Sequence, residues 1–234
     1  MPKKEKGKIR IIHNLSYPLN DSVNSHIPRE YCAVEYELID TCCEIVYELG
    51  YSCLMAKADL CQAFRILRVC LEDLKFLGFT WNGLFYFDKM MAMGAAISCS
   101  NFEKFSCAIQ WILKNIFGVE KMSHILDDFL FFCRKDDNAC LRSLNAFLLL
   151  AESLGLKIKP EKTVFPSTKV EMHGILFDSE KMILTLPEDK VEKVLKLIDA
   201  IVKKRNVQLV YILQLHGFLN FACRAVAPGR TFLR

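Results

Sequence analysis

Apolar residues recur along the chain with two periods, and the switches between them mark the elements. From Tyr36 to Leu49 the spacing is helical, and Gly50 stops it. Ser52 to Asp59 is a short, nearly continuous apolar run that predicts a buried strand. Two aromatic runs, Phe76 to Trp81 and Leu84 to Phe87, are joined by Asn82-Gly83, a dipeptide that signals a two-residue hairpin. Helical spacing returns at Phe102, Phe105, Ile109, Ile112, Leu113 and Ile116 and runs to Gly118. Ser100 and Glu103 stand ahead of it in capping-box register. Between Met122 and Cys133, strand-forming residues flank Asp127 and Asp128, which places the pair in a tight β-turn.

A further helix is expected over Asp137 to Leu154, with Leu141, Leu144, Leu148 and Ala151 on its apolar face and Gly155 at its end. Short strands follow around Leu156 to Ile158 and Val170 to Phe177. The tail carries helical patterns over Glu188 to Val202 and Gln208 to Ala222, separated by Lys203, Lys204 and Arg205. Upstream, Lys8 to Leu15 reads as a strand, with an irregular stretch rich in Pro, Asn and Ser to Arg29. From residue 52 the order is β, an inserted hairpin, α, ββ, α, β. This predicts an α+β fold on the βαββαβ plan of a ferredoxin-like sheet. That plan puts the end of the first strand beside the central hairpin turn, so Asp59 and the Asp127–Asp128 pair converge.

Composition narrows the class. Hydrophobic residues make up 52 % of 234 and mean hydropathy is +0.19, enough for a core and too much for a disordered chain. No apolar run is long enough to span a bilayer, and no apolar segment follows the basic start, so the expectation is an intracellular protein without a membrane partner. Cytoplasm and nucleus stay open. Eleven cysteines, an odd number without Cys-x-x-Cys spacing, read as reduced thiols, with Cys53, Cys99, Cys107 and Cys133 in apolar stretches. His13, His26, His124, His173 and His216 show no ligand spacing with them. The net charge of +4 permits a polyanionic partner without requiring one. The local basic clusters, Lys3 to Arg10 and Lys203 to Arg205, fit a solvated face equally well.

Two adjacent carboxylates in apolar surroundings repel, and a divalent cation offsets that cost best. An Asp-Asp pair alone is more often a solvated turn. Paired with Asp59 at a strand end, it suggests a site for two Mg²⁺ ions, with Mn²⁺ as the alternative, and metal-dependent phosphoryl transfer.

These residues also carry a family resemblance. Lys57 to Val69, with Asp59 near its head, resembles the first catalytic motif of reverse transcriptases, and His124 to Leu130 resembles their x-x-Asp-Asp hairpin. Met91 to Phe105 is similar to the template- and nucleotide-binding segment, in wording nearest to retrotransposons of the DIRS/Ngaro, tyrosine-recombinase kind. Gly7 to Pro18 resembles their fingers motif. Leu154 to Phe165 and Met172 to Gly174 resemble the lysine motif and primer grip. The resemblance implies a right-hand polymerase: partial fingers over 1–50, a palm over 51–178 with the inserted hairpin at 76–90, and a partial helical thumb or connection over 179–234. It implies an RNA-directed DNA polymerase core that adds dNTPs to a primer 3′-hydroxyl on an RNA or DNA template. Ribonuclease H and recombinase domains of a longer polyprotein are the implied companions.

By the same resemblance, Asp59, Asp127 and Asp128 would be metal ligands, with Leu60 adding a backbone carbonyl. Phe64, five residues after Asp59, stands at the steric gate against a 2′-hydroxyl, core packing being its other reading. Arg10, helped by Lys3 or Lys4, would bind the triphosphate. Gly94 would admit template and nucleotide, and Lys162 would be the general acid, or else a plain surface lysine. Met172, His173 and Gly174 would form the primer grip. Departures from the pattern are Ala92 for a common proline, Met93, Ile125 for a frequent tyrosine, and Asn14 where many relatives carry aspartate. None touches the three carboxylates. The competing reading is a truncated, inactive or co-opted retrotransposon relic that binds nucleic acid without catalysis.

Overall fold

In the computed structural model, which describes residues 12–233, the elements follow the expected order. Helix α1 (Ile39–Leu49) leads into strand β1 (Leu54–Asp59). Strands β2 (Gly78–Trp81) and β3 (Leu84–Phe87) form a separate hairpin, and α2 (Ser98–Asn115) follows. Then come β4 (Met122–Ile125), β5 (Asp128–Cys133), α3 (Ala139–Ser153) and β6 (Val164–Ser167). The chain continues through β7 (Lys169–Met172), β8 (Ile175–Asp178), β9 (Ile183–Thr185), α4 (Glu188–Val202) and α5 (Leu209–Ala222).

One sheet has the order β4-β5-β1-β6, which with helices α2 and α3 as crossovers is the ferredoxin-like βαββαβ arrangement. Its last strand is a correction. Leu156 to Ile158 makes only an isolated bridge, Ile158 to Leu60. Pro160 lacks an N–H and starts a single 3₁₀ turn (Pro160–Lys162), so the chain re-enters the sheet at Val164, pairing Lys57 with Val164 and Met55 with Ser167. Val170 to Phe177 is not one strand either. It is a hairpin in which Met172 pairs with Ile175 around His173 and Gly174, both at positive φ.

The capping box is the third correction. Helix α2 starts three residues earlier than expected, its N-cap Ile97 offers no side-chain bond, and Ser100 is buried inside the helix. Helix α3 starts at Ala139, two residues later than expected, and the Ala139 N–H donates to Asp137 Oδ1 at 2.8 Å. On α3 the buried face runs through Cys140, Leu144, Phe147, Leu150 and Ala151, whereas Leu141 is exposed. Of the expected upstream strand, Lys8 to Ile11 lie outside the described residues. Beyond them Ile12 to Asn14 form no strand, and the His13 N–H donates to the Met93 carbonyl at 2.9 Å.

The chain divides into two compact units. One comprises the residues through Leu38, Ala58–Phe131 and Arg142–Thr163; the other comprises Ile39–Lys57, Phe132–Leu141 and the residues from Val164. In the first, Phe102, Phe129, Phe131, Phe147 and Ile109 are fully buried, with the Phe129 and Phe147 rings 4.6 Å apart. In the second, Cys42, Cys53, Met55, Cys140, Met172 and Phe177 fill the core. All eleven cysteines are free thiols; Cys53 and Cys133 are buried as small hydrophobes, but Cys107 is exposed. Among the described residues, no helix is long and apolar enough to cross a membrane.

Candidate active site

The β4–β5 turn lies one residue earlier than the sequence suggests. Ile125 pairs with Asp128, so the two turn residues are Leu126 and Asp127, and Asp128 already belongs to the strand. Leu126 sits at φ +52°, a left-handed conformation that glycine favours and a leucine resists by about 1–2 kcal/mol. Neighbours hold it there. Its N–H donates to Glu103 Oε2 at 3.0 Å, and its carbonyl accepts from Ser106 Oγ at 2.8 Å. The Asp127 carbonyl accepts the Leu60 N–H at 2.9 Å, which ties the turn to the end of β1. Glu103, expected to cap α2, thus serves the turn, and its Oε1 lies 3.3 Å from Nε2 of the buried His124. Glu37 extends the network: its carboxylate accepts from Gln110 at 3.0 Å and from the His124 N–H at 3.3 Å.

Asp59 is only 2 % exposed, yet it is charged, because two lysines reach it. Lys159 Nζ donates to Asp59 Oδ1 and lies 3.4 Å from Asp127 Oδ2. Lys162 Nζ donates to Asp59 Oδ2 at 2.7 Å. Burial pushes the Asp59 carboxyl up, but hydrogen bonds from Lys159 and Lys162 and with the neighbouring Asp128 outweigh it and leave it below the usual carboxylate range. Lys162 shows the mirror image: burial lowers it, the Asp59 pairing outweighs burial, and it ends above an ordinary lysine. The structure therefore brings together Asp59, Asp127, Asp128 and Lys162. It adds Lys159, which sequence reasoning missed. Its only signal was a place three residues before Lys162, across the Pro160 turn.

This donor set fits a hard divalent cation. Carboxylate oxygens of Asp59 and Asp127 already share one cationic group, and an all-oxygen set of this kind suits Mg²⁺ or Mn²⁺.

The remaining residues fall around this centre or outside it. Leu60 follows Asp59 directly and is buried. Phe64 lies in a 3₁₀ turn (Ala63–Ile66) with its ring edge-on to Phe102 at 5.7 Å, so it is half-buried against α2. Its neighbour Arg65, unremarked in the sequence, pairs with the buried Asp88, which also accepts from the Met90 N–H and faces His13 Nε2 at 3.1 Å. Burial pushes the Asp88 carboxyl up, but Arg65, Met90 and His13 bring it below the usual range. Gly94 has φ +118°, and a Cβ there would meet the His13 carbonyl oxygen at 2.0 Å. What approaches its backbone is thus the chain's own N-terminal segment, fastened further by Asn24 Nδ2 to the Gly94 carbonyl at 2.8 Å. Arg10, Lys3 and Lys4 lie outside the described residues. Met172, His173 and Gly174 belong to the second unit, where Met172 is fully buried and the Gly174 carbonyl accepts from Lys190 Nζ at 2.6 Å.

Solved structures with the same fold include foamy viral ones. The foamy viral protease-reverse transcriptase dRH in complex with dsDNA aligns with a TM-score of 0.68 at 19 % identity, over 95 % of this chain and 35 % of that one. The foamy viral protease-reverse transcriptase with an RNA/DNA hybrid aligns at 0.59 and 18 %, over 77 % of this chain and 24 % of that one. The chain therefore spans about a third or less of the length of these proteins. No curated protein matches it in sequence. The family model described as reverse transcriptase (RNA-dependent DNA polymerase) matches residues 1–177, three quarters of the chain, and the chain thus belongs to the reverse transcriptase family.

Proposed function

We propose that this chain is the core of an RNA-directed DNA polymerase that adds dNTPs to a primer 3′-hydroxyl on an RNA or DNA template. The observation that carries the reading is the meeting of Asp59 with Asp127, through Lys159, and with Asp128 at the end of a ferredoxin-like sheet, in a chain of this family. The foamy viral relatives that share the fold hold dsDNA or an RNA/DNA hybrid, which supports a primer–template partner for this chain as well.

Asp59, Asp127 and Asp128 would hold two Mg²⁺ ions, or Mn²⁺ in their place, which activate the attacking hydroxyl and neutralise the departing phosphate oxygens. The protein's own contribution is placement. The Leu60–Asp127 hydrogen bond fixes the turn against β1, and the Glu103 and Ser106 bonds fix the peptide before Asp127. The peptides that carry Asp59 and Asp127 are thus tied to one another, which leaves less backbone reorganisation for the reaction step. Lys162 keeps its proton at neutral pH and stands on the carboxylate centre, a position suited to donating it to the pyrophosphate oxygen. Phe64, beside the same centre in sequence, is the candidate sugar gate, and Arg10 the candidate triphosphate ligand. The wording of the Met91 to Phe105 segment supports a DIRS/Ngaro-type origin, with ribonuclease H and recombinase domains as companions in a longer polyprotein.

Primer extension on an RNA template with Mg²⁺ tests the reading. Wild type is expected to extend the primer and Asp127→Asn to fall by at least about a thousandfold. Extension by wild type no greater than by Asp127→Asn sinks the polymerase reading and favours a nucleic-acid-binding relic.

A further inference from the structure

We propose that Lys159 is the resident counter-ion of the catalytic carboxylates, an ammonium that bridges Asp59 and Asp127 and that a divalent cation must displace. The inference rests on the metal-site reading above and deepens it. Lys159 Nζ donates to Asp59 Oδ1 and lies 3.4 Å from Asp127 Oδ2, and these two residues are among those that would hold the ion. Lys162 differs: it donates to the other oxygen of Asp59, and its side chain is 54 % exposed against 23 % for Lys159.

The backbone holds Lys159 in place for this role. Its N–H donates to the Asp59 carbonyl at 3.0 Å, and its own carbonyl accepts from the Lys162 N–H at 3.1 Å and Thr163 Oγ1 at 3.0 Å. Only the flexible side chain is free to move. Two buried or half-buried carboxylates forced together destabilise the fold unless a positive charge lies between them. The ammonium supplies that charge when no divalent ion is bound. It also competes with the ion, because like charges do not share the same oxygens. Folding of the empty site and affinity for the cation are therefore opposed through one side chain.

The test uses the full chain as wild type, Lys159→Met, Lys159→Gln and Lys162→Met. Mn²⁺ is titrated by the loss of its free-ion electron paramagnetic resonance signal, and melting is followed with and without Mn²⁺. Lys159→Met is expected to bind Mn²⁺ about tenfold more tightly than wild type. It is also expected to melt at a lower temperature without the ion and to gain more from it. Lys162→Met is expected to show a smaller change in both. Lys159→Gln, of similar length but uncharged, should repeat the tighter binding if Lys159→Met does not fold. Unchanged or weaker Mn²⁺ binding in both Lys159 variants overturns the proposal, as does failure of every variant to bind the ion. Tighter binding by the Lys159 variants with no primer extension by wild type would leave the counter-ion standing and remove the polymerase reading instead. Extension by wild type with unchanged Mn²⁺ affinity would do the reverse.

Discussion

Two hairpins in the same unit solve the two-residue turn in opposite ways. Between β2 and β3, Asn82 and Gly83 take φ of +49° and +76°, the pattern that Asn-Gly adopts readily, and both strands are exposed on every residue. That turn is specified locally. Between β4 and β5, Leu126 takes φ +52° with no glycine to ease it, and its peptide is held by Glu103 and Ser106 from α2. That turn is specified from a distance. The strained one carries the carboxylates, where a fixed geometry matters, and the relaxed one carries a surface ribbon. Backbone strain is thus kept where the surrounding fold over-determines the conformation.

Breaking the outside support should show the contrast at its largest. Glu103→Ala removes the acceptor of a half-buried N–H and the partner of the buried His124, and should cost about 3 kcal/mol in urea unfolding. Hydrogen exchange should rise across Met122 to Phe132 and stay unchanged across Gly78 to Phe87. Equal effects on both hairpins would mean that Glu103 is only a general core residue.

Acid should separate the hairpins in the same direction. Glu37 bonds the β4 strand and its neighbours; burial raises its carboxyl, but bonds from Ser123, Gln110 and His124 bring it below its ordinary value of 4.5. A group lowered on folding contributes stability that is complete above its unfolded value and lost as pH falls through its folded one. The unfolding midpoint of wild type should therefore fall as pH drops below about 4.5, and Glu37→Gln should flatten that limb. Parallel curves for the two proteins would exclude Glu37 from the support.

In the relaxed hairpin the sensitive position is local. Gly83→Ala meets no atom within 4 Å but must hold φ +76°, so it should cost about 1–2 kcal/mol by strain alone. Hydrogen exchange should rise in Gly78 to Phe87 and not in the carboxylate turn. A cost near zero would show that the β2–β3 turn had shifted to another type.

The same division explains what could be read from the residues alone. Asn82-Gly83 was readable because its chemistry is complete within two positions. Asp59 and Asp127 were readable as partners because the βαββαβ order implies their meeting, and the fold follows from the order of periods. Glu103 was misread as a cap, since its register with Ser100 is a local signal and its actual partner, Leu126, lies on another element. Lys159 offered only its place three residues before Lys162, because its meaning arises where the backbone seats it against the end of β1. The strand at Val164 was missed for the same reason, as Pro160 delays re-entry into the sheet. Residues that satisfy local rules can be read singly; those that hold a strained site are defined by the atoms they meet.

The smallest expected effect tests the comparison most directly. Ser106→Ala removes one hydroxyl bond to the Leu126 carbonyl and should cost about 1 kcal/mol. Leu126→Gly removes the strain that this bond helps to hold, but also a half-buried side chain, so its own sign does not decide the matter. Their coupling does. If the hydroxyl serves to hold leucine in the left-handed region, Ser106→Ala should cost about 0.5–1 kcal/mol less in the Leu126→Gly background than in wild type. The double-mutant cycle is read from urea unfolding, with Mn²⁺ affinity as a second measure of where Asp127 lies. If the two costs simply add, the Ser106 bond stabilises the helix contact and not the turn, and the two hairpins differ only in sequence.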